Sequence, residues 1–156
     1  MTYPIRLRSS ALIIERDAVL LVEFNDENGV HYNLPGGGVE VGESLIQSLE
    51  REAFEEASVR VDVGQVAFIY EYAPHLVQAR YGPVHSLTTI FECTLQKGEV
   101  PRMPEKPDPH QTGVKWIPLN QLNQLVLYPN IRDQIIAYSK HKQAMDLLEE
   151  QHLATY

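Results

Sequence analysis

The first third of the chain alternates apolar and polar positions in short runs. Two β-like runs, Ile5 to Ile14 and Ala18 to Phe24, flank the turn-forming Glu15 to Asp17 and predict a hairpin. Asn25 to Gly29 reads as a second turn. A short strand over His31 to Leu34 then runs into Pro35 and three consecutive glycines, where the pattern predicts that regular structure stops. From Ser44 the period changes. Leu45, Leu49, Ala53 and Ala57 recur at four-residue steps on one helical face, and Ser44 with Gln47 matches a capping box, which makes Ser44 the predicted N-cap.

Downstream, Arg60 to Ala73 and Ser86 to Leu95 read as strands separated by a polar loop containing His75, Arg80 and Tyr81, a candidate substrate lid. Pro101, Pro104, Pro107 and Pro109 predict an extended connection. Val114 to Ile117 resumes a strand and Leu119 to Leu125 suggests a brief helix. Ile131, Ile135, Tyr138, Met145 and Leu148 keep roughly helical spacing across a polar interruption from Ser139 to Gln143, which predicts a C-terminal helix over about 130–153. Its apolar face is expected to dock on the sheet, with a dimer contact as the alternative.

A length of 156 residues suits one domain with a substantial core, so residues 1–156 are read as a single domain. The only cysteine, Cys93, lies in an apolar run and reads as a small buried hydrophobe. Met1 to Ser10 lacks the apolar core of a signal peptide, and charges at Glu15 to Asp17 interrupt the next apolar stretch short of a membrane span, so the expected location is cytoplasmic. A formal charge of −8 argues against holding an extended nucleic-acid backbone, which needs a basic face. The acidity is also concentrated: six glutamates lie between Glu40 and Glu56. A cation is the natural partner for such a cluster.

Between Gly36 and Val59 a glycine-rich loop feeds the helix that carries Glu52, Glu55 and Glu56. At about 100° per residue, Glu56 lies about 40° from Glu52 and Glu55 about 60° to its other side, so the three carboxylates share one arc. Like charges at this spacing destabilise an isolated helix by a few tenths of a kcal/mol per pair. A solvated acidic face is the ordinary meaning of such a run. The glycines shift the weighing, because they let backbone groups approach the cluster and face an ion or phosphate. Magnesium typically takes one or two carboxylates, several waters and substrate phosphates, which suits this arrangement.

Gly37, five residues, Glu43, seven residues, Arg51-Glu52-Ala53, then Glu55-Glu56 and Val59 resemble the Nudix box in order and spacing. Leu34-Pro35-Gly36-Gly37 and Glu40 extend the match upstream, with Tyr32 where the family often has tryptophan. Ser58 departs from the pattern, standing where the family has the glycine that ends the helix. The resemblance implies an α/β fold, an α/β/α sandwich around a central mixed β-sheet. It also implies an enzyme of the Nudix (MutT-like) hydrolases, a pyrophosphatase that acts on a nucleotide-derived small molecule with Mg2+, for which Mn2+ can substitute.

On that resemblance Glu52, Glu55, Glu56 and the backbone carbonyl of Gly36 hold metal, Arg51 orients the carboxylates, and Gly37, Glu40 and Glu43 brace the motif. Glu52 is the first candidate for general base, with Glu92, Glu99 and Glu105 as candidates outside the box. Arg8, His75, Arg80 and His85 are candidate phosphate contacts, and Tyr32, Tyr72 and Tyr81 candidate stacking surfaces. Pro74, 15 residues beyond Val59, resembles a spacing used by ADP-ribose pyrophosphatases. The implied substrate is a nucleoside diphosphate linked to another moiety, ADP-ribose or nucleotide-sugar-like. A nucleoside triphosphate pyrophosphohydrolase and a non-catalytic nucleotide-metabolite sensor are the alternatives. A monomer and a homodimer are both compatible, and neither a membrane nor extended nucleic acid is an expected partner.

Overall fold

The fold was obtained as a computed structural model describing residues 3–143 and 145–155. Strands β1 (Arg6–Glu15) and β2 (Ala18–Asp26) form the expected hairpin. Arg16 and Asp17 both take positive φ, 49° and 59°, as a two-residue turn matching the strand twist requires. Only the turn-proximal ends of these strands pair, through Ile14 with Val19 and Glu15 with Ala18. Beyond them β1 leaves its partner and runs parallel to β6 (Ser86–Leu95), from Arg6 opposite Ser86 to Ile13 opposite Cys93. β2 pairs instead with β3 (Gly29–Asn33) and β7 (Gln111–Pro118), both antiparallel.

The glycines do not end regular structure as the pattern predicts. Gly36–Gly38 forms a short strand, β4, antiparallel to β1, with Ser10 opposite Gly36 and Arg8 opposite Gly38. A Cβ on Gly36 would sit 2.4 Å from the Ser9 carbonyl oxygen, so only glycine lets the two backbones come this close.

Helix α1 (Leu45–Ala57) begins at Ser44 with a reciprocal capping box: Ser44 Oγ accepts from Gln47 N at 3.1 Å, and Gln47 Oε1 accepts from Ser44 N at 2.9 Å. It stops at Ser58, whose φ of 57° and ψ of 34° are left-handed. Its apolar stripe, Leu49, Ala53 and Ala57, packs on one face of the sheet against Ala11, Ile13, Leu20, Phe91 and Cys93. Burial pushes the Cys93 thiol up to about 12, as expected for a cysteine that serves as a small hydrophobe.

β5 (Val61–Tyr72) runs antiparallel to β6. The opposite face of the sheet is covered by the 3-10 segment Leu119–Gln124 and helix α2 (Arg132–Lys140), which bring Leu122, Ile131, Ile135 and Tyr138 onto Leu12, Phe68, Tyr70 and Ile90. The result is an α/β fold with an eight-stranded mixed sheet between helical layers. The helix predicted over about 130–153 needs correction. It ends at Lys140, at the polar interruption, and the chain then forms β8 (Asp146–Glu149), parallel to β5, and a 3-10 turn over Glu150–His152. Pairing with the open edge of β5 satisfies backbone groups that a longer helix would have left exposed there. Among the described residues no helix is long and apolar enough to cross a membrane.

Candidate active site

Arg51 organises the acidic end of the site. Its Nε donates to Glu43 Oε1 at 2.5 Å and one terminal nitrogen to Glu43 Oε2 at 3.1 Å, a two-pronged pair. The same nitrogen donates to the Gly38 carbonyl at 3.1 Å, and the other reaches Glu52 at 3.0 Å and Glu55 at 3.1 Å. Hydrogen bonding from Arg51 holds the Glu43 carboxyl down to about 2, and the guanidinium is in turn pushed up by Glu43. Glu43 also accepts from the Glu40 amide at 3.0 Å, while the Glu40 carboxylate stays 3.9 Å from Arg51. These two glutamates brace the turn before α1.

Glu52 and Glu56 face the other way, toward β4. A Cβ on Gly37 would lie 2.3 Å from Glu52 Oε1, so glycine is what gives that carboxylate its place. Glu56 is 6% exposed and accepts from the Gly36 amide at 2.9 Å. Burial pushes it up to about 8, opposed by the Gly36 bond and by Arg8, and burial also raises Glu52. Glu55 is more exposed and, among the described residues, is held by Arg51 alone. Among the described residues no three acidic, histidine or cysteine side chains converge into a ready metal cage.

The strand registers extend this site into a trough. Gly38, Arg8, Thr88 and Tyr70 lie in one row across β4, β1, β6 and β5, and Arg6, Ser86 and Tyr72 in a second. Three strand spacings separate the glycine strand from the tyrosines, about 14 Å. All these residues line a cleft of about 490 Å3, together with Glu52, Glu56, Asp108, Tyr81 and Tyr128. Burial and neighbouring Arg6 lower the pKa of Arg8, while Glu52 and Glu56 raise it. The cleft thus places three carboxylates, two arginines and a tyrosine wall together.

Among the predicted substrate contacts, Arg8, Tyr72 and Tyr81 reach the cleft; Tyr32, His75, Arg80 and His85 are not brought to it. Tyr32 donates to Glu23 at 2.5 Å, and Glu23 also takes Thr112 and Lys115, a network on the outer strands. His85 is buried, paired with Glu71 at 2.9 Å and packed edge-on against Tyr3. The segment read as a lid starts with a 3-10 turn over Pro74–Leu76 and is tied down by Tyr72, whose hydroxyl donates to Gly82 O at 2.7 Å and accepts from Tyr81 N at 3.0 Å.

The candidate bases outside the box are elsewhere too. Glu92 is held by Tyr138 and Lys142, Glu99 caps the Arg60 amide, and Glu105 is exposed and does not line the cleft. Asp108 takes the place beside Glu52 and Glu56 that none of them fills. Gln111 anchors its loop, donating to the Glu56 carbonyl at 2.8 Å and accepting from the Asp108 amide at 3.3 Å. No local pattern marks Asp108, since a proline-rich loop delivers it. Arg6 was missed as well, although its two-residue step from Arg8 on one strand face could have marked it.

The NUDIX domain model matches residues 4–138, and the chain belongs to that family. It is similar to a MutT-like protein of Streptomyces ambofaciens, 24% identical over 115 residues covering 74% of this chain; the chain spans 65% of that relative's length. A NUDIX hydrolase structure from Nitrosomonas europaea superposes with a TM-score of 0.73 at 23% identity, covering 98% of both chains. An ADP-ribose pyrophosphatase from Streptococcus suis gives 0.66 at 22% identity, covering 92% of this chain and 99% of that one. These likenesses show the fold, and the site geometry carries the reading of chemistry.

Proposed function

We propose that the cleft hydrolyses a pyrophosphate linkage in a nucleoside diphosphate joined to a second group, an ADP-ribose or nucleotide-sugar-like substrate, with Mg2+ as cofactor and Mn2+ as a substitute. The observation that carries this is the pair Glu52 and Glu56, carboxylates that burial leaves short of positive charge at the mouth of a trough bearing two arginines. A hard divalent cation fits that shortage, and the open donor set fits magnesium, which shares its coordination with phosphate and water. Glu52, Glu55, Glu56 and the carbonyl of Gly36 would hold it. When bound, it neutralises charge on phosphate oxygens and lowers the pKa of a bound water.

The chain's own groups supply the rest. Arg51 fixes Glu52 and Glu55, so part of the repulsion within the cluster is already offset before a ligand arrives. Arg8 and Arg6 lie one strand from the glycines, positioned to hold the oxygens of the second phosphate. Glu52 and Asp108 are the carboxylates placed to take the proton of the attacking water. The Streptococcus suis neighbour, an ADP-ribose pyrophosphatase, supports this substrate class. A magnesium-dependent hydrolysis screen across ADP-ribose, nucleotide sugars, dinucleoside polyphosphates and nucleoside triphosphates tests the proposal. Release of a nucleoside monophosphate from a diphosphate-linked substrate supports it; hydrolysis restricted to triphosphates with release of pyrophosphate overturns it.

A further inference from the structure

The far end of the trough is held by residues beyond the stretch that matches the NUDIX domain. Glu150 opens the 3-10 turn after β8 and is only 8% exposed. Its Oε2 accepts from the hydroxyl of Tyr70 at 2.7 Å, and Tyr70 is itself 3% exposed. Tyr128 lies against the Tyr70 hydroxyl, and its ring sits 4.4 Å from that of Tyr81, tilted by 56°. Two tiers result. All four tyrosines line the cleft, and Tyr72 and Tyr70, pinned by Gly82 and Glu150, hold Tyr81 and Tyr128 in turn.

A buried carboxylate bonded to a tyrosine gives little net stability, because desolvation offsets most of the attraction. What such a pair does provide is a fixed orientation, since the hydroxyl is held between Glu150 and Tyr128 and the ring cannot rock away from them. The C-terminal segment is anchored independently of this bond, by β8 on β5 and by Asn130 Nδ2 donating to Ala154 O at 3.0 Å. Glu150 is thus delivered to Tyr70 by a framework that does not depend on it. Burial also pushes Tyr128 up to about 12, which keeps that ring uncharged at neutral pH.

We propose that Glu150 is a positioning residue: through Tyr70 it sets the Tyr81 and Tyr128 wall on which the flat base of a nucleoside diphosphate stacks, and so gives preference to base-bearing over base-free diphosphates. This rests on reading the cleft as a diphosphate site. The placement agrees, since Tyr70 and Tyr72, against which the wall packs, stand on a strand three spacings, about 14 Å, from the glycine strand. The charge agrees as well. Anionic groups meet arginine in the middle of the trough, and the tyrosine end presents faces that accept any base.

The test compares ADP and inorganic pyrophosphate by calorimetry in saturating magnesium for the full chain, Glu150→Ala, Glu150→Gln and Tyr70→Phe, with thermal melts as a check on folding. Stacking energies of the usual size predict that wild type prefers ADP and that Glu150→Ala and Tyr70→Phe weaken ADP about tenfold while pyrophosphate stays within about twofold. Glu150→Gln, which still accepts from Tyr70, is expected to recover most of the ADP affinity. Equal losses for both ligands, or none for either, overturn the positioning role and leave the diphosphate reading standing. Wild type that binds neither ligand overturns both.

Discussion

The backbone amide of Gly36 donates to Oε2 of Glu56 at 2.9 Å, tying the glycine strand to the last turn of α1 through a buried carboxylate. Burial raises Glu56 from 4.5 to about 8, so the metal-free fold holds this proton more tightly than the unfolded chain does. The stability this confers is complete below 4.5 and is lost as pH rises through about 8. In chelator, the wild-type melting temperature should therefore fall across that window more steeply than that of Glu56→Gln, and magnesium should lessen the fall. Parallel wild-type and variant profiles would show that Glu56 does not carry the effect.

Turnover should respond differently from stability. Glu55→Gln and Glu56→Gln keep side-chain size and remove a charge from the proposed metal site, so each should lower turnover at least about tenfold with circular dichroism unchanged. If both variants turn over as wild type does, the ligand assignment is wrong.

Metal and nucleotide should bind as one unit, because a chain of net charge −8 has little to offer a diphosphate without added positive charge. Titration of a non-hydrolysable nucleotide should tighten on adding magnesium, and linkage requires nucleotide to tighten magnesium by the same factor. Affinity that is equal in chelator and in magnesium would leave the arginines and tyrosines to hold the ligand alone.

Asp108→Asn should lower kcat about tenfold, the order expected of a positioned proton acceptor, with a smaller change in KM. Glu92→Gln and Glu99→Gln, whose carboxylates are occupied by Tyr138, Lys142 and Arg60, should leave kcat within about twofold. Steady-state kinetics on the best substrate decides between these carboxylates, and a larger effect at Glu92 would reverse the assignment.

Ser58 ends α1 in a left-handed conformation, its amide donating to Phe54 O at 3.0 Å. Ser58→Gly should stabilise the fold by up to about 1 kcal/mol without affecting turnover, because glycine adopts that conformation without a Cβ clash. Denaturant titration reads the difference, and a lower midpoint would mean that the serine side chain does more than tolerate the geometry.

Features that depend on neighbours a few residues apart can be read from the chain alone. The hairpin turn, the Ser44 capping box, the apolar stripe of Leu49, Ala53 and Ala57, and the common arc of Glu52, Glu55 and Glu56 all follow from local periodicity and backbone preference. The long spacing pattern from Gly37 to Val59 was legible for the same reason. Tertiary structure decided which scattered polar residues become a site. Arg8, Thr88 and Tyr70 share a row only because β1 pairs in parallel with β6 and β6 antiparallel with β5, registers fixed by burial across strands far apart in sequence. Tyr32 was drawn off by Glu23, Asp108 was delivered by Gln111, and the C-terminal residues exchanged helical spacing for an open strand edge that carries Glu150 to Tyr70. Helical periodicity records which side of a segment is apolar. It does not record which partner, helix layer or sheet edge will cover that side.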